Sequence, residues 1–347
     1  MKVLITSKLQ SGNQYVDLLY SSLIGKIDLT IGSNHFFNRE NFDIVHIQWP
    51  EDLLQWYSPE KRIIQNIGDL LYELKENSKV AYTLHNETPH IKNTLIKSLY
   101  NLILDLSDGI VHLGKYSIDK YSKLYPNKYH VEIPHGIYQY PNEISRNLSR
   151  KYLGLNERDK VVLIFGTIRS YREQEFIWRT SKNLREVDDF VFLVSNLHNS
   201  EMPSAFRNPF KRLKAEFIHR LIRESKSIHI YNKENITDDK IQYFFKACDI
   251  VLIPRIDSLN SGVAFLGFSF ARPVIGPDIG NIGGLLKKMD NPIFTKGSGK
   301  EAAEKIIDIM PNSKELGGGN FEKAHSMFSW SIISNEHVNF YSKLLSL

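Results

Sequence analysis

Two arginines three positions apart, Arg169 and Arg172, stand in the stretch GTIRSYR, directly after the apolar run VVLIF. A guanidinium fork can hold two phosphate oxygens at once, so such a pair at a strand-to-helix turn suits an anion with several oxygens. A second stretch, Asn260, Ser261, Gly262 and Val263, opens an apolar helical segment after RIDSL. The unpaired amides of a first helical turn and the positive end of the helix dipole favour the same kind of ligand. Asn260 or Ser261 is placed to cap that helix through its side chain, and Gly262 would let a bulky anion reach the backbone. Together the two loops predict a diphosphate pocket. The plain alternative is a tight turn with two solvated arginines.

Other loops carry groups that move protons. His85 and Glu87 lie in HNETPH after the run KVAYTL and Glu51 lies in QWPED after DIVHI, while His135 and Gly136, in IPHGIY, sit where the chain leaves the first domain and would bind substrate at the cleft if the two sheets face each other. A histidine and a carboxylate within two residues could deprotonate a hydroxyl or steady a leaving phosphate. The same polar residues could simply cap a helix starting near Pro89. No HExxH pattern or Cys/His cluster accompanies His85 and His90, so no metal site is expected.

The elements that must position these loops follow from the hydrophobic pattern. Short β-branched runs (KVLIT, DIVHI, KVAYTL, GIVHL, VVLIF, FVFLV, SIHIY, DIVLI and PVI) alternate with stretches of helical period. That is the pattern of βαβ units building parallel sheets. The rhythm breaks across 135–159, rich in turn residues and charge, and restarts at VVLIF. The expected architecture is α/β, with two doubly wound Rossmann-like domains in series divided at 145/146. Open parallel sheets place ligands beyond the carboxyl ends of their strands, where all the loops above lie, so the default site is a cleft between the two domains.

Bulk properties narrow the function. A chain of 347 residues exceeds what one core usually supports. The single Cys248 fits a reducing, cytoplasmic setting, and no window approaches the roughly 20 apolar residues of a spanning helix. Residues 1–150 hold 16 basic and 16 acidic side chains, so the net charge of +5 belongs to the second half. An anionic ligand or surface is expected there. The segment 203–226 has Phe206, Phe210, Leu213, Phe217 and Leu221 on one helical stripe, with seven basic residues against two Glu. Core packing is the first expectation for the stripe, and peripheral contact with anionic membrane at the inner face of the cell membrane is the second. The modest charge and the lack of a recognition motif weigh against a nucleic-acid-binding or other non-catalytic protein. No GxGxxG follows KVLIT, which weighs against a dehydrogenase.

The motifs DIVHIQWPE, TLHNETPH, IPHGIY, GTIRSYR, NSG with its apolar helix, RPVIGPDIGNIGG and FSWSIISNEHVNFYSKLL, in this order, resemble the GT-B glycosyltransferases related to family 4. The resemblance spans nearly the whole chain. It implies transfer of a sugar from a UDP- or GDP-linked donor to a saccharide or lipid-linked saccharide hydroxyl, as in bacterial surface polysaccharide synthesis, with no bound cofactor or metal. It puts the acceptor on residues 1–145, joined by a last helix 329–347, and the donor on 146–328. Arg169 and Arg172 would neutralise the diphosphate, and the Asn260 to Val263 amides would bind it. Gly12 and Asn13 would lie beside the transferred sugar, and His85 would contact that sugar or its phosphate. Where family 4 commonly has two glutamates eight positions apart, this chain has Ser258 and Leu266. Retention and inversion therefore both stay open, and inversion would need a base among Glu87, His85 and Glu51. A nucleotide-sugar epimerase of the same fold is the alternative reading.

Overall fold

The computed structural model describes residues 1–9, 14–89, 93–168, 170–184, 189–197, 208–231 and 236–347. The chain divides into two compact units, Met1–Gly136 with Met327–Leu347, and Ile137–Ser326. Tyr138 belongs to the second because its amide donates to Ser269 Oγ at 2.9 Å, and the amides of Glu143 and Ile144 both donate to Gln242 Oε1.

The first unit is built on β1 (Lys2–Ile5), β2 (Asp28–Ile31), β3 (Ile44–Ile47), β4 (Lys79–Leu84), β5 (Gly109–His112) and β6 (Tyr129–Glu132). All pair in parallel, in the spatial order β2-β1-β3-β4-β5-β6. The second is built on β7 (Lys160–Thr167), β8 (Phe190–Asn196), β9 (Ile228–Ile230), β10 (Ile250–Leu252), β11 (Val274–Pro277) and β12 (Ile293–Phe294). It too is wholly parallel, in the order β12-β11-β10-β7-β8-β9. Each sheet is wound outward in both directions from an inner strand. The first reverses direction between β1 and β3, and the second between β7 and β10. These reversals are where an open sheet leaves a crevice for ligand.

Central strands such as Ile44–Ile47 and Ile250–Leu252 are buried at every position, as expected of strands covered on both faces. Val3, Ile5, Ile44, Ala81 and Val111 form the first core, and the terminal helix Trp330–Leu345 adds Trp330, Ile333, Phe340, Tyr341 and Leu344 to it. Val162, Ile164, Phe192, Ile250, Leu252 and Ile275 centre the second core.

Gly317 to Gly319 lie within the helix Ser313–Phe328. A Cβ on Gly317 would sit 2.2 Å from the Ala271 carbonyl oxygen, so close packing demands that glycine. One local expectation is overturned. The stripe of Phe210, Leu213 and Phe217 is not core: these residues are 80%, 62% and 60% exposed. The helix Pro209–Arg223 instead buries Ala215, Ile218 and Ile222, a neighbouring stripe with the same period. Phe206 lies outside the described residues.

Candidate functional site

In the second unit the crevice between β7 and β10 is bounded by the loop after Thr167 and by the loop from Ile253 to Ser261. Arg255 sits there, only 8% exposed. Its Nη1 donates to the Thr167 carbonyl at 3.0 Å and to both carboxylate oxygens of Glu173 at 3.1 Å. Glu173 is itself 3% exposed, in the first turn of the helix Tyr171–Leu184. A charge pair removed from water to this degree is costly unless geometry compensates, so it holds the two loops in fixed register. Sequence reasoning passed over both residues, since 82 positions separate them and no spacing announces the pair. Arg172, the neighbour of Glu173, is exposed on the same first turn. Arg169 lies outside the described residues.

The helix Gly262–Ser269 starts at the end of the second loop; the Ala264 amide donates to the Ser261 carbonyl at 3.3 Å, while those of Gly262 and Val263 precede the helical hydrogen-bond ladder. Ser261 occupies the N-cap position with extended backbone but makes no side-chain cap, contrary to the expected capping. Asn260 Oδ1 instead accepts from Asn281 Nδ2 at 2.8 Å, and the Asn281 amide donates to the Leu259 carbonyl at 2.8 Å. Gly280, at φ +50°, makes this contact possible, because a Cβ there would meet the Leu259 oxygen at 2.6 Å. The space above Gly262 is filled from within the unit: a Cβ would lie 2.7 Å from the Tyr138 hydroxyl. Val263 follows as the second residue of the helix.

In the first unit the structure gathers His85, His135 and Gly136 around Tyr15, Trp49 and Trp330. His85 stacks on Trp49, with ring centres 4.0 Å apart and planes at 16°, and meets Tyr15 edge-on at 5.0 Å. Tyr15 also lies 4.7 Å from the His135 ring and 5.6 Å from Trp330. Gly136 is pressed against the Trp330 indole, which a Cβ would meet at 2.5 Å. Burial pushes the His135 imidazole down to about 4, so it is neutral, and its Nδ1–H donates to the Gly136 carbonyl.

Behind His85 runs a buried polar chain. His85 Nε2 lies 3.0 Å from Gln48 Oε1, and the amide nitrogen of Gln48 lies 3.3 Å from His46 Nε2. His46 also contacts Thr83 Oγ1 at 2.8 Å and the Tyr341 hydroxyl at 2.7 Å. Burial, with a smaller contribution from His337, holds His46 well below the ordinary histidine range and therefore neutral. Because Gln48 Oε1 can only accept, His85 carries its proton on Nε2.

The acidic groups are placed differently from one another. Glu51 is fully buried, and the Tyr100 hydroxyl lies 2.8 and 3.0 Å from its two oxygens. Glu87 is engaged by Lys120 Nζ at 2.7 Å. Asp52, within the 3-10 turn Pro50–Leu54, is partly exposed and accepts from Ser7 Oγ and from Trp56 Nε1 at 2.9 Å. Gly12 and Asn13 lie outside the described residues. No group of three or more metal-binding side chains occurs among the described residues.

No family model matches this chain. A curated relative, the GDP-mannose:glycolipid 4-beta-D-mannosyltransferase of Xanthomonas campestris pv. campestris, is 23% identical over 273 residues, covering 76% of this chain and 70% of that protein. Among solved structures, a glycosyltransferase from Rickettsia africae ESF-5 aligns at TM-score 0.65 and 15% identity, over 99% of this chain and 98% of that one. Anabaena HepE in complex with UDP-glucose aligns at TM-score 0.65 and 12% identity, over 99% of this chain and 100% of the other. Sucrose-phosphate synthase from Thermosynechococcus elongatus aligns at TM-score 0.63 and 13% identity, over 98% and 81%. The two parallel six-stranded sheets of this chain match the two-domain Rossmann-like GT-B fold of these structures.

Proposed function

We propose, from the premise that this chain has the GT-B fold, that it is a glycosyltransferase moving a hexosyl group from a nucleoside-diphosphate sugar to a saccharide or lipid-linked saccharide hydroxyl. The observation that carries this reading is the crevice between β7 and β10, where buried Arg255, exposed Arg172 and the helix start at Gly262 and Val263 gather on adjoining loops. A departing nucleoside diphosphate gains negative charge. Guanidinium groups and fixed amides stabilise that charge more in the transition state than in the bound donor.

The second unit is thus the donor side, with Arg169 and Asn260 to Val263 at the diphosphate. The first is the acceptor side, with His85, His135, Gly136, Gly12 and Asn13 toward the transferred sugar. Both nucleobases stay within the reading: the curated relative is named for GDP-mannose, and HepE was solved with UDP-glucose. The expected result is that UDP or GDP raises the thermal midpoint, while Arg172→Ala slows transfer several hundred-fold, about 3 to 4 kcal/mol of barrier, with an unchanged circular dichroism spectrum. Normal turnover in that variant would refute the assignment.

A second element of the reading is peripheral contact with an anionic membrane surface, as would suit a lipid-linked acceptor in bacterial surface polysaccharide synthesis. The helix Pro209–Arg223 exposes Phe210, Leu213 and Phe217, and it carries five basic residues against Glu216. Arg212 pairs with Glu216, Arg220 with Glu224 and Lys214 with Glu175, and the helix keeps a positive excess. Apolar anchors rimmed by cations are what an interfacial helix presents to anionic lipid. Replacing all three apolar residues with serine should cut co-sedimentation with phosphatidylglycerol vesicles at least about tenfold without lowering the thermal midpoint. Equal binding by the triple variant would exclude this surface.

A further inference from the structure

The candidate bases at the ligand end of the first sheet differ in availability. Glu51 is enclosed with Tyr100 on both oxygens, Glu87 is paired with Lys120, and His85 is covered by Trp49 and bonded through Nε2 to Gln48. Asp52 combines partial exposure with anchorage on two sides. Ser7 follows β1 and Asp52 follows β3, so the hydrogen bond between them spans the reversal point of the first sheet, the place where open sheets take ligands. Trp56 Nε1 fixes the other carboxylate oxygen from the far side of the turn.

We propose that Asp52 is the general base of an inverting transfer, a role that rests on the glycosyltransferase reading above. Asp52 takes the proton of the acceptor hydroxyl as that oxygen bonds to the anomeric carbon. The bond from this carbon to the β-phosphate oxygen breaks, and its electron pair leaves with the nucleoside diphosphate. Attack opposite the leaving group inverts the anomeric centre. The absence of the paired glutamates at Ser258 and Leu266 is consistent with a departure from retention. The electrostatics agree. Burial lifts the Asp52 carboxyl above its ordinary range, against the donors Ser7 and Trp56, and neighbouring Glu51 adds to the rise. A carboxylate so placed is a stronger base than one in water.

The test uses the full chain with a donor that wild-type protein turns over. Asp52→Asn should lower kcat about 100-fold or more, while calorimetric affinity for UDP or GDP, a property of the second unit, stays within about twofold. Ser7→Ala keeps the carboxylate but removes one donor to its ionised form, so the acidic limb of the kcat–pH profile should move to higher pH. Proton NMR of the first-formed product should show the anomeric configuration opposite to that of the donor. Wild-type-like kcat in Asp52→Asn, an unmoved limb in Ser7→Ala, or a retained configuration would each overturn the proposal. Should Asp52→Asn not fold, the Ser7→Ala profile and the product configuration decide it. Wild-type protein that transfers from no sugar nucleotide would overturn the glycosyltransferase reading and this proposal with it, whereas active Asp52→Asn overturns only the proposal.

Discussion

Arg255 shows what a single side chain does when its charge is taken out of water. Three contacts of one Nη1 atom tie the end of β7, the start of the following helix and the loop after β10 to one point. Removing one partner of such a pair leaves an uncompensated charge, which typically costs about 3 to 5 kcal/mol. Glu173→Gln is therefore expected to lower the denaturation midpoint and weaken nucleotide affinity together, read by guanidinium melts and calorimetry on the same preparation. Unchanged values in both would contradict that role for the pair. At this scale the sequence was half legible. The acids and imidazoles of the first unit could be named from their loops, but nothing in QWPED distinguishes enclosed Glu51 from partly exposed Asp52. That difference comes from Tyr100 and Ser7, which lie far along the chain.

At the scale of elements, the start of the helix Gly262–Ser269 is defined by what lies over it. The Tyr138 hydroxyl occupies the place of a side chain at Gly262. Gly262→Ala should then displace either the helix start or Tyr138 and raise the KM for donor, and Tyr138→Phe, which removes the obstructing oxygen, should restore much of the loss. A double-mutant cycle on donor KM checks this, and strictly additive effects would contradict it. Strands were readable where they are central. The edge strands β2, β6 and β12 were not expected from the sequence. Two of them are only partly buried and the third is two residues long, so none offers a continuous apolar run. The helix Pro209–Arg223 was misjudged for a related reason. Its residues supply two apolar stripes of the same period, and periodicity alone does not say which one meets the sheet.

For the molecule as a whole, buried histidines give the two units unequal tolerance of acid. His46, His112, His135 and His337 all lie in the first unit. Burial pushes His112 down to about 3, His135 and His337 down to about 4, and His46 well below the ordinary range. The folded unit keeps these rings neutral while the unfolded chain binds protons near 6.5. Their contribution is therefore complete above pH 6.5 and is lost as pH falls from there toward 4. Each ring costs on the order of 1 kcal/mol per pH unit in that window, so the four together lower stability by several kcal/mol per pH unit. Guanidinium melts followed by tryptophan fluorescence should show a clearly lower midpoint at pH 5 than at pH 7.5. Trp49, Trp56 and Trp330 report on the first unit and Trp178 on the second. Equal midpoints would contradict the assignment.

The second unit is contiguous in the chain, whereas the first is interrupted by it. On a ribosome adding about 5 to 20 residues each second, the opening sheet would wait roughly 10 to 40 s for Trp330 and the helix that it begins. During that interval the aromatic face destined to receive Phe340 and Tyr341 stays bare, while the inserted unit is free to close as soon as it emerges. Biogenesis thus runs inward from the middle of the gene product, and the first-made half is the last to be finished.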